Sequence, residues 1–218
     1  MGLRAAALLL LLAHQTSLAA AQADAPLTLS VTQGGKEIGR ESFTLSKGRG
    51  RGAAGTTLSA TARYPATAPT TRLTAVLERT PAFAIAKFQL DVDSPSGTTV
   101  ILAAGSGARL IVRTVATGSE SGRELPGGPD VVLLDDEVHS LYSAVADLAT
   151  PAGKRLTAIF PRTGKRASFT ARLETTGQGE GLHIALTGDL AGTLVTDTEG
   201  RLQRLDLPAQ NKIVSRAE

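Results

Sequence analysis

The sequence predicts a mainly β protein: a single curved antiparallel sheet, a half-barrel or open barrel of about eleven strands, with one amphipathic helix packed on its concave face. Two observations predict this class. Short segments in which apolar and polar residues alternate, the period of a half-buried strand, recur along the chain. One segment, residues 135–149, instead spaces its apolar residues three and four positions apart, as a helix does. No strand–helix–strand alternation occurs, so a parallel doubly wound sheet is not expected.

The first residues are typical of a secretory signal. Arg4 supplies a positive charge, residues 5–13 form a short apolar run, and small residues with A-x-A cleavage sites follow. The run is far shorter than the ~20 residues that span a bilayer. We therefore expect a signal peptide over residues 1–23, one domain over residues 24–218, and a periplasmic or secreted location. No later stretch is apolar enough to cross a membrane as a helix.

Alternation and turn residues predict the strands that precede the helix. These strands are expected at residues 27–31, 36–45, 58–64, 72–78, 83–90, 100–103 and 110–115. Residues 118–129 are the longest polar stretch and are predicted to be a loop. Residues 131–134 form a short continuous apolar run, which indicates a buried strand.

The helix is predicted to begin at Asp135 as its N-cap, with acidic residues in the first turn. One apolar stripe is expected to face the sheet, formed by Val138, Leu141, Tyr142, Val145 and Leu148. The polar residues Asp135, His139 and Ser143 are expected to form an exposed stripe. Thr150 and Pro151 end the helix.

Further alternating segments follow the helix. They predict strands at residues 156–160, 168–173 and 182–186, a hairpin over residues 194–207 that turns at residues 198–200, and an edge strand at residues 211–215.

The motifs of common enzyme classes are missing from the sequence. The chain has no cysteine and no G-x-S-x-G nucleophile motif. Asp135, His139 and Ser143 follow one helix face, so they cannot converge on a substrate as a catalytic triad does. A G-x-G-x-x-G match at residues 50–55 precedes a predicted strand, whereas a dinucleotide site needs a helix there. We expect no metal, no cofactor and no enzymatic activity.

The charge balance argues against a nucleic-acid partner. Lysine and arginine total 23 against 20 acidic residues, and aromatic residues make up only 3% of the chain. A nucleic-acid-binding protein usually has a stronger basic stripe interleaved with aromatic side chains.

Several positions predicted to face the core are small: Ala60, Ala62, Ala75, Ala158 and Ala171. Small residues either let a helix pack closely or leave a cavity, and the sequence leaves both open. A cavity would have an aliphatic lining suited to a hydrophobic or lipid-like ligand. Its lining would be Phe83, Val138, Leu141, Tyr142, Val145, Leu148 and Phe169.

Three segments carry a resemblance to a known family. The chain opens with G-x-x-x-G-x-E-x-F at residues 35–43, continues with Leu-Leu-Asp-Asp at residues 133–136, and closes with D-x-x-G-R-L-x-x-L-x-x-P at residues 197–208. This order resembles exported bacterial domains of unknown function related to the periplasmic lipoprotein carriers. The resemblance implies a half-open antiparallel barrel, covered by a helix, with a hydrophobic cavity. It assigns no functional residue.

The sequence therefore favours a non-enzymatic, exported protein that binds a hydrophobic or lipid-like ligand in the cell envelope. One alternative is an interaction or structural module that holds an envelope protein through a sheet edge or through the polar face of the helix. A second alternative is an accessory domain of a hydrolase.

Overall fold

The computed structural model describes residues 25–48, 55–174 and 181–217, which form one large, nearly closed, barrel-like sheet of fifteen strands. The mainly β class is confirmed. The expected number of about eleven strands is wrong, and the sheet is nearly closed where a half-barrel was expected. The predicted signal peptide, residues 1–23, lies outside the described residues, as do residues 49–54.

Eight strands precede residue 131, and seven lie from residue 131 onward. The first group is β1 Leu27–Gln33, β2 Lys36–Lys47, β3 Thr56–Tyr64, β4 Thr71–Arg79, β5 Ile85–Ser94, β6 Gly97–Ser106, β7 Arg109–Ala116 and β8 Ser119–Pro126. The second group is β9 Val131–Leu133, β10 Lys154–Ile159, β11 Arg166–Glu174, β12 His183–Gly188, β13 Gly192–Thr196, β14 Leu202–Leu207 and β15 Lys212–Arg216. A single 3₁₀ turn, Pro208–Gln210, joins β14 to β15.

The sheet is built from two antiparallel meanders joined at the chain ends. Strands β1 to β8 each pair with the next, and so do β10 to β15. Strand β15 pairs with β1, from Leu29 opposite Arg216 to Gln33 opposite Lys212. The prediction of an edge strand at residues 211–215 is therefore wrong, because β15 lies in the middle of the sheet. The edges are β8 and β9.

Alternation along the strands decides which side chains face the interior. In β3 the inward positions Leu58, Ala60, Ala62 and Tyr64 are buried. All five small residues predicted to face the core are buried, and the inner face packs into one continuous hydrophobic core. That part of the sequence prediction is confirmed.

Strand β8 lies within the segment that was predicted to be a loop. Its residues from Ser119 to Glu124 are exposed on both faces, and only Leu125 is buried. An edge strand exposed in this way lacks apolar alternation, which is why the sequence gives no strand signal. Its backbone nevertheless pairs with β7 along its whole length, from Arg109 opposite Pro126 to Ala116 opposite Ser119.

Residues 134–153, which we call the plug, connect β9 to β10 through the interior of the sheet. These two strands are parallel neighbours, and parallel pairing requires a long crossover connection. The plug contains a 3₁₀ turn, His139–Tyr142, followed by one α-helical turn, α1, Ser143–Ala146. The predicted helix over residues 135–149 is thus much shorter, and the three residues of its predicted exposed stripe, Asp135, His139 and Ser143, are buried.

Within the part of the chain that the structure describes, no helix has the length and apolarity needed to cross a membrane.

Candidate functional site

The side chains predicted to line a cavity lie mostly in the packed core. The five plug residues Val138, Leu141, Tyr142, Val145 and Leu148 are buried, as is Phe169 on the inner face of β11. Phe83, in the connection between β4 and β5, is half-buried, and the Arg79 guanidinium lies 5.4 Å from its ring centre. The apolar stripe of the plug therefore packs directly against the inner face of the sheet.

A buried carboxylate holds the beginning of the plug. Glu41 points inward from β2 and is 1% exposed. Its two oxygens accept hydrogen bonds from the backbone N–H of His139 at 2.7 Å and of Ser140 at 3.0 Å. The first N–H groups of a helical turn have no acceptor within the turn. Glu41, 98 residues away from His139 in the sequence, provides the acceptor here. Burial raises the pKa of Glu41 to about 7.

Tyr64 and His139 extend this polar cluster. The Tyr64 hydroxyl donates to the backbone carbonyl of Glu137 at 3.0 Å and lies 3.4 Å from Nδ1 of His139. Burial lowers the pKa of His139 to about 3, so the imidazole is neutral. The Tyr64 ring rests on Gly39, where an added Cβ would lie 2.1 Å from a ring carbon. Only glycine leaves room for the tyrosine at this position.

Asp135 forms a turn and an ion pair, although it was predicted to cap a helix. One of its oxygens accepts from the backbone N–H of Glu137 at 2.9 Å, and Arg162 donates to both of its oxygens at 3.0 and 3.1 Å. Arg162 also pairs with Glu137. Lys212, pointing inward from β15, donates to the backbone carbonyl of Asp136 at 3.0 Å.

A buried guanidinium holds the other end of the plug. Arg79, whose side chain is only 4% exposed, donates to the backbone carbonyl of Ala144 at 3.1 Å and pairs with Asp147. The Ser143 hydroxyl accepts from the backbone N–H of Leu202 on β14 at 3.1 Å. Strands from both meanders thus bind the plug through charged and polar groups.

Sequence reasoning missed Glu41 and Arg79, but the alternation contains a signal for both. Glu41 lies two residues from Gly39 and Phe43, on the inward face of β2, and Arg79 follows Ala75 and Leu77 on the inward face of β4. A charged residue at an inward position of a strand must find a buried partner. This signal identifies the strand residues and leaves their partners in the plug unknown.

The plug cluster has no chemistry that points to catalysis or metal binding. Glu41 and Asp135 accept hydrogen bonds from backbone N–H groups, Glu137 and Asp147 pair with arginines, and Nδ1 of His139 faces the Tyr64 hydroxyl. Among residues 25–48, 55–174 and 181–217, no three His, Asp or Glu side chains come together in an arrangement that holds a metal ion.

The outer face of β4 to β7 carries an open apolar depression of about 420 Å³. We call it the outer depression. Its apolar floor is formed by four outward side chains of β4, β6 and β7: Val76, Leu102, Ala104 and Ile111. Ile111 is 51% exposed and is the one large hydrophobic side chain of the described chain that stands out into solvent.

Charged side chains border the outer depression, and opposite charges lie side by side. Glu78 on β4 is directly opposite Lys87 on β5. Arg113 on β7 donates to both carboxylate oxygens of Glu120 on β8, at 2.7 and 2.8 Å. The border therefore has little net charge beside an apolar floor.

Comparison with known proteins gives one structural likeness. The crystal structure of a DUF1089 family protein from Pseudomonas aeruginosa superposes on this chain with a TM-score of 0.47 and 14% sequence identity, covering 78% of this chain and 90% of that one. No protein-family profile matches the sequence, and no curated protein matches it.

Proposed function

We propose that this protein is a non-enzymatic binder of a hydrophobic or lipid-like ligand, and that the ligand's aliphatic part lies in the outer depression. The observation that carries the proposal is the exposed Ile111 on a concave apolar floor to which β4, β6 and β7 contribute. Soluble domains seldom leave a contiguous apolar surface uncovered unless something binds there. The resemblance to lipoprotein carriers, whose cargo is hydrophobic, supports the same class of ligand.

The border of the outer depression indicates which part of such a ligand binds. Because Arg113 is paired with Glu120 and Glu78 lies opposite Lys87, the border has no excess positive charge to neutralise an anionic head group. The depression suits the uncharged alkyl part of a ligand. Binding then depends mainly on the number of methylene groups removed from water.

A series of n-alkanols tests this directly. Each buried methylene contributes about 0.8 kcal/mol, so affinity should rise about fourfold per added carbon until the depression is full. Isothermal titration calorimetry of the purified protein measures the series. A matched series of fatty acids should give similar affinities at equal chain length. Affinities that do not change with chain length would contradict the proposal.

A pair of isoleucine substitutions locates the binding surface. Ile111→Ser removes the most exposed large apolar side chain of the depression and should weaken alkanol binding several-fold. The control is Ile213→Ser, which changes an outward isoleucine on β15, outside the depression, and should leave binding unchanged. Equal affinities in the two variants would rule out the outer depression as the site.

The expected location, the periplasm or the cell exterior, belongs to the same proposal. Native mass spectrometry of protein purified from the envelope fraction of its own host would reveal a co-purifying lipid. Recovery of the protein only from the cytoplasm would contradict the proposed location.

The unpaired edge of β8 favours a second candidate function, an envelope interaction module. Within the described chain β8 pairs only with β7, so its outer backbone groups are free to pair with an extended segment of another protein. The alternative surface considered from the sequence, a polar helix face, is buried in the plug. Ser121→Pro, on an exposed edge position, should abolish capture of such a partner in an envelope crosslinking experiment. Capture that persists in this variant would exclude the β8 edge.

A further inference from the structure

The plug is held at its beginning by one carboxyl group that has no cationic partner. Glu41 is buried, and among the described residues no lysine or arginine forms an ion pair with it. Its nearest basic group is Nδ1 of His139, at 3.9 Å from a carboxylate oxygen. Removing an unpaired carboxylate from water favours its neutral form strongly.

The groups around Glu41 reinforce this preference. Tyr64 faces it from β3 and His139 from the plug, and both are neutral at ordinary pH because burial raises the pKa of Tyr64 and lowers that of His139. Asp135, the acidic neighbour at the start of the plug, raises the pKa of Glu41 further, although its charge is shared with Arg162.

The remaining charged groups of this region are bound to the plug's own backbone and side chains. Lys212 from β15 donates to the carbonyl of Asp136, and Glu137 pairs with Arg162. The groups that favour an ionised Glu41 are the Ser140 side chain and the backbone N–H groups of Ser140 and His139, and burial opposes them. Nε2 of His139 is buried with no hydrogen-bond partner among the described residues, which lowers the stability of the closed plug.

We propose that Glu41 is a proton-operated latch: its neutral carboxyl group holds the plug inside the sheet, and a rise from acidic to neutral pH, which ionises the carboxyl group of the open plug, makes the plug open more often. In the open plug the carboxylate meets water, so each deprotonation favours opening. Opening exposes the apolar side chains Val138, Leu141 and Val145, which are buried in the closed form. The latch is independent of ligand binding at the outer depression.

Amide hydrogen exchange on the whole protein measures how often the plug opens. After correction for intrinsic exchange, protection of the His139 and Ser140 amides should fall by up to about tenfold per pH unit between pH 4.5 and pH 7, and should change little above pH 7. Glu41→Gln imitates the neutral carboxyl group and should remove this pH dependence. Glu37→Gln is the matched control, because Glu37 is an exposed carboxylate on the same strand, and it should retain the wild-type slope.

Two results would overturn the latch. One is protection of these amides that does not change from pH 4.5 to pH 7 in the wild-type protein. The other is an equal slope in Glu41→Gln and the wild-type protein. Carbon-13 NMR of labelled glutamate side chains in the wild-type protein provides a test that needs no variant: Glu41 should titrate near neutral pH, and a midpoint near 4.5 would reject the proposal.

Discussion

Gly39 lies on β2 directly beneath the ring of Tyr64, and no larger residue fits there. Gly39→Ala should displace Tyr64 and break its hydrogen bond to the carbonyl of Glu137, at a cost of about 1–3 kcal/mol in the free energy of unfolding. Urea denaturation measures this loss. Gly122→Ala on β8 is the control, since an added Cβ there meets nothing within 4 Å and should change stability little. Equal effects of the two substitutions would contradict the packing described for Tyr64.

The raised pKa of Glu41 also predicts how the free energy of unfolding changes with pH. Its pKa is about 7 in the folded protein against 4.5 for the ordinary group, so the folded state binds the extra proton between these values. Stability from this group is fully present below pH 4.5 and is lost as pH rises to about 7.

The wild-type protein should therefore gain stability relative to Glu41→Gln by roughly 1 kcal/mol per pH unit as the pH falls from 7 to 4.5. Taking the difference between the two proteins cancels every other titrating group, including His139. Guanidinium denaturation at several pH values measures it. A difference that stays constant with pH would show that Glu41 has an ordinary pKa.

At the scale of elements, the plug depends on the buried guanidinium of Arg79. Arg79→Ala leaves the carbonyl of Ala144 and the carboxylate of Asp147 without their donor in a site with little solvent, so we expect a loss of about 3–5 kcal/mol. Arg113→Ala breaks an exposed ion pair with Glu120 and should cost at most about 1 kcal/mol. Thermal unfolding of both variants compares them, and similar costs would argue against the role given to Arg79.

The plug also shows what the sequence can and cannot predict about an element. The spacing of Val138, Leu141 and Val145 correctly predicted an apolar stripe that packs on the sheet, because side-chain periodicity is local. The length of the helix and the burial of His139 were predicted wrongly. Both depend on Glu41 and Arg79, residues far away in the chain that bind the ends of the helical turns.

The strands, too, include some that the sequence predicts and one that it does not. Alternation predicted most of them, since one buried face imposes a period of two residues. It missed β8, which is exposed on both faces. The outer depression was also missed, because Val76, Leu102 and Ile111 come together only through the pairing registers of β4 to β7.

For the whole molecule, the pairing of β1 with β15 is the seam that joins the two meanders. Ending the chain after Gln210 removes β15 and exposes the edges of β1 and β14, so this truncated protein should fail to fold. Removal of residues 217–218 alone deletes one backbone hydrogen bond, from Ala217 to Thr28, and should be tolerated. Far-ultraviolet circular dichroism and size-exclusion chromatography distinguish these outcomes. A folded, monomeric protein ending at Gln210 would contradict the topology.

The central claim is that a hydrophobic ligand binds the outer depression while the plug stays closed. Methyl NMR during titration with an uncharged alkanol tests it directly, because both surfaces carry methyl groups. We predict saturable shifts for Val76, Leu102 and Ile111 and unchanged signals for Val138, Leu141 and Val145. Shifts confined to the plug residues would place the ligand inside the sheet, and no saturable shift at either place would contradict ligand binding.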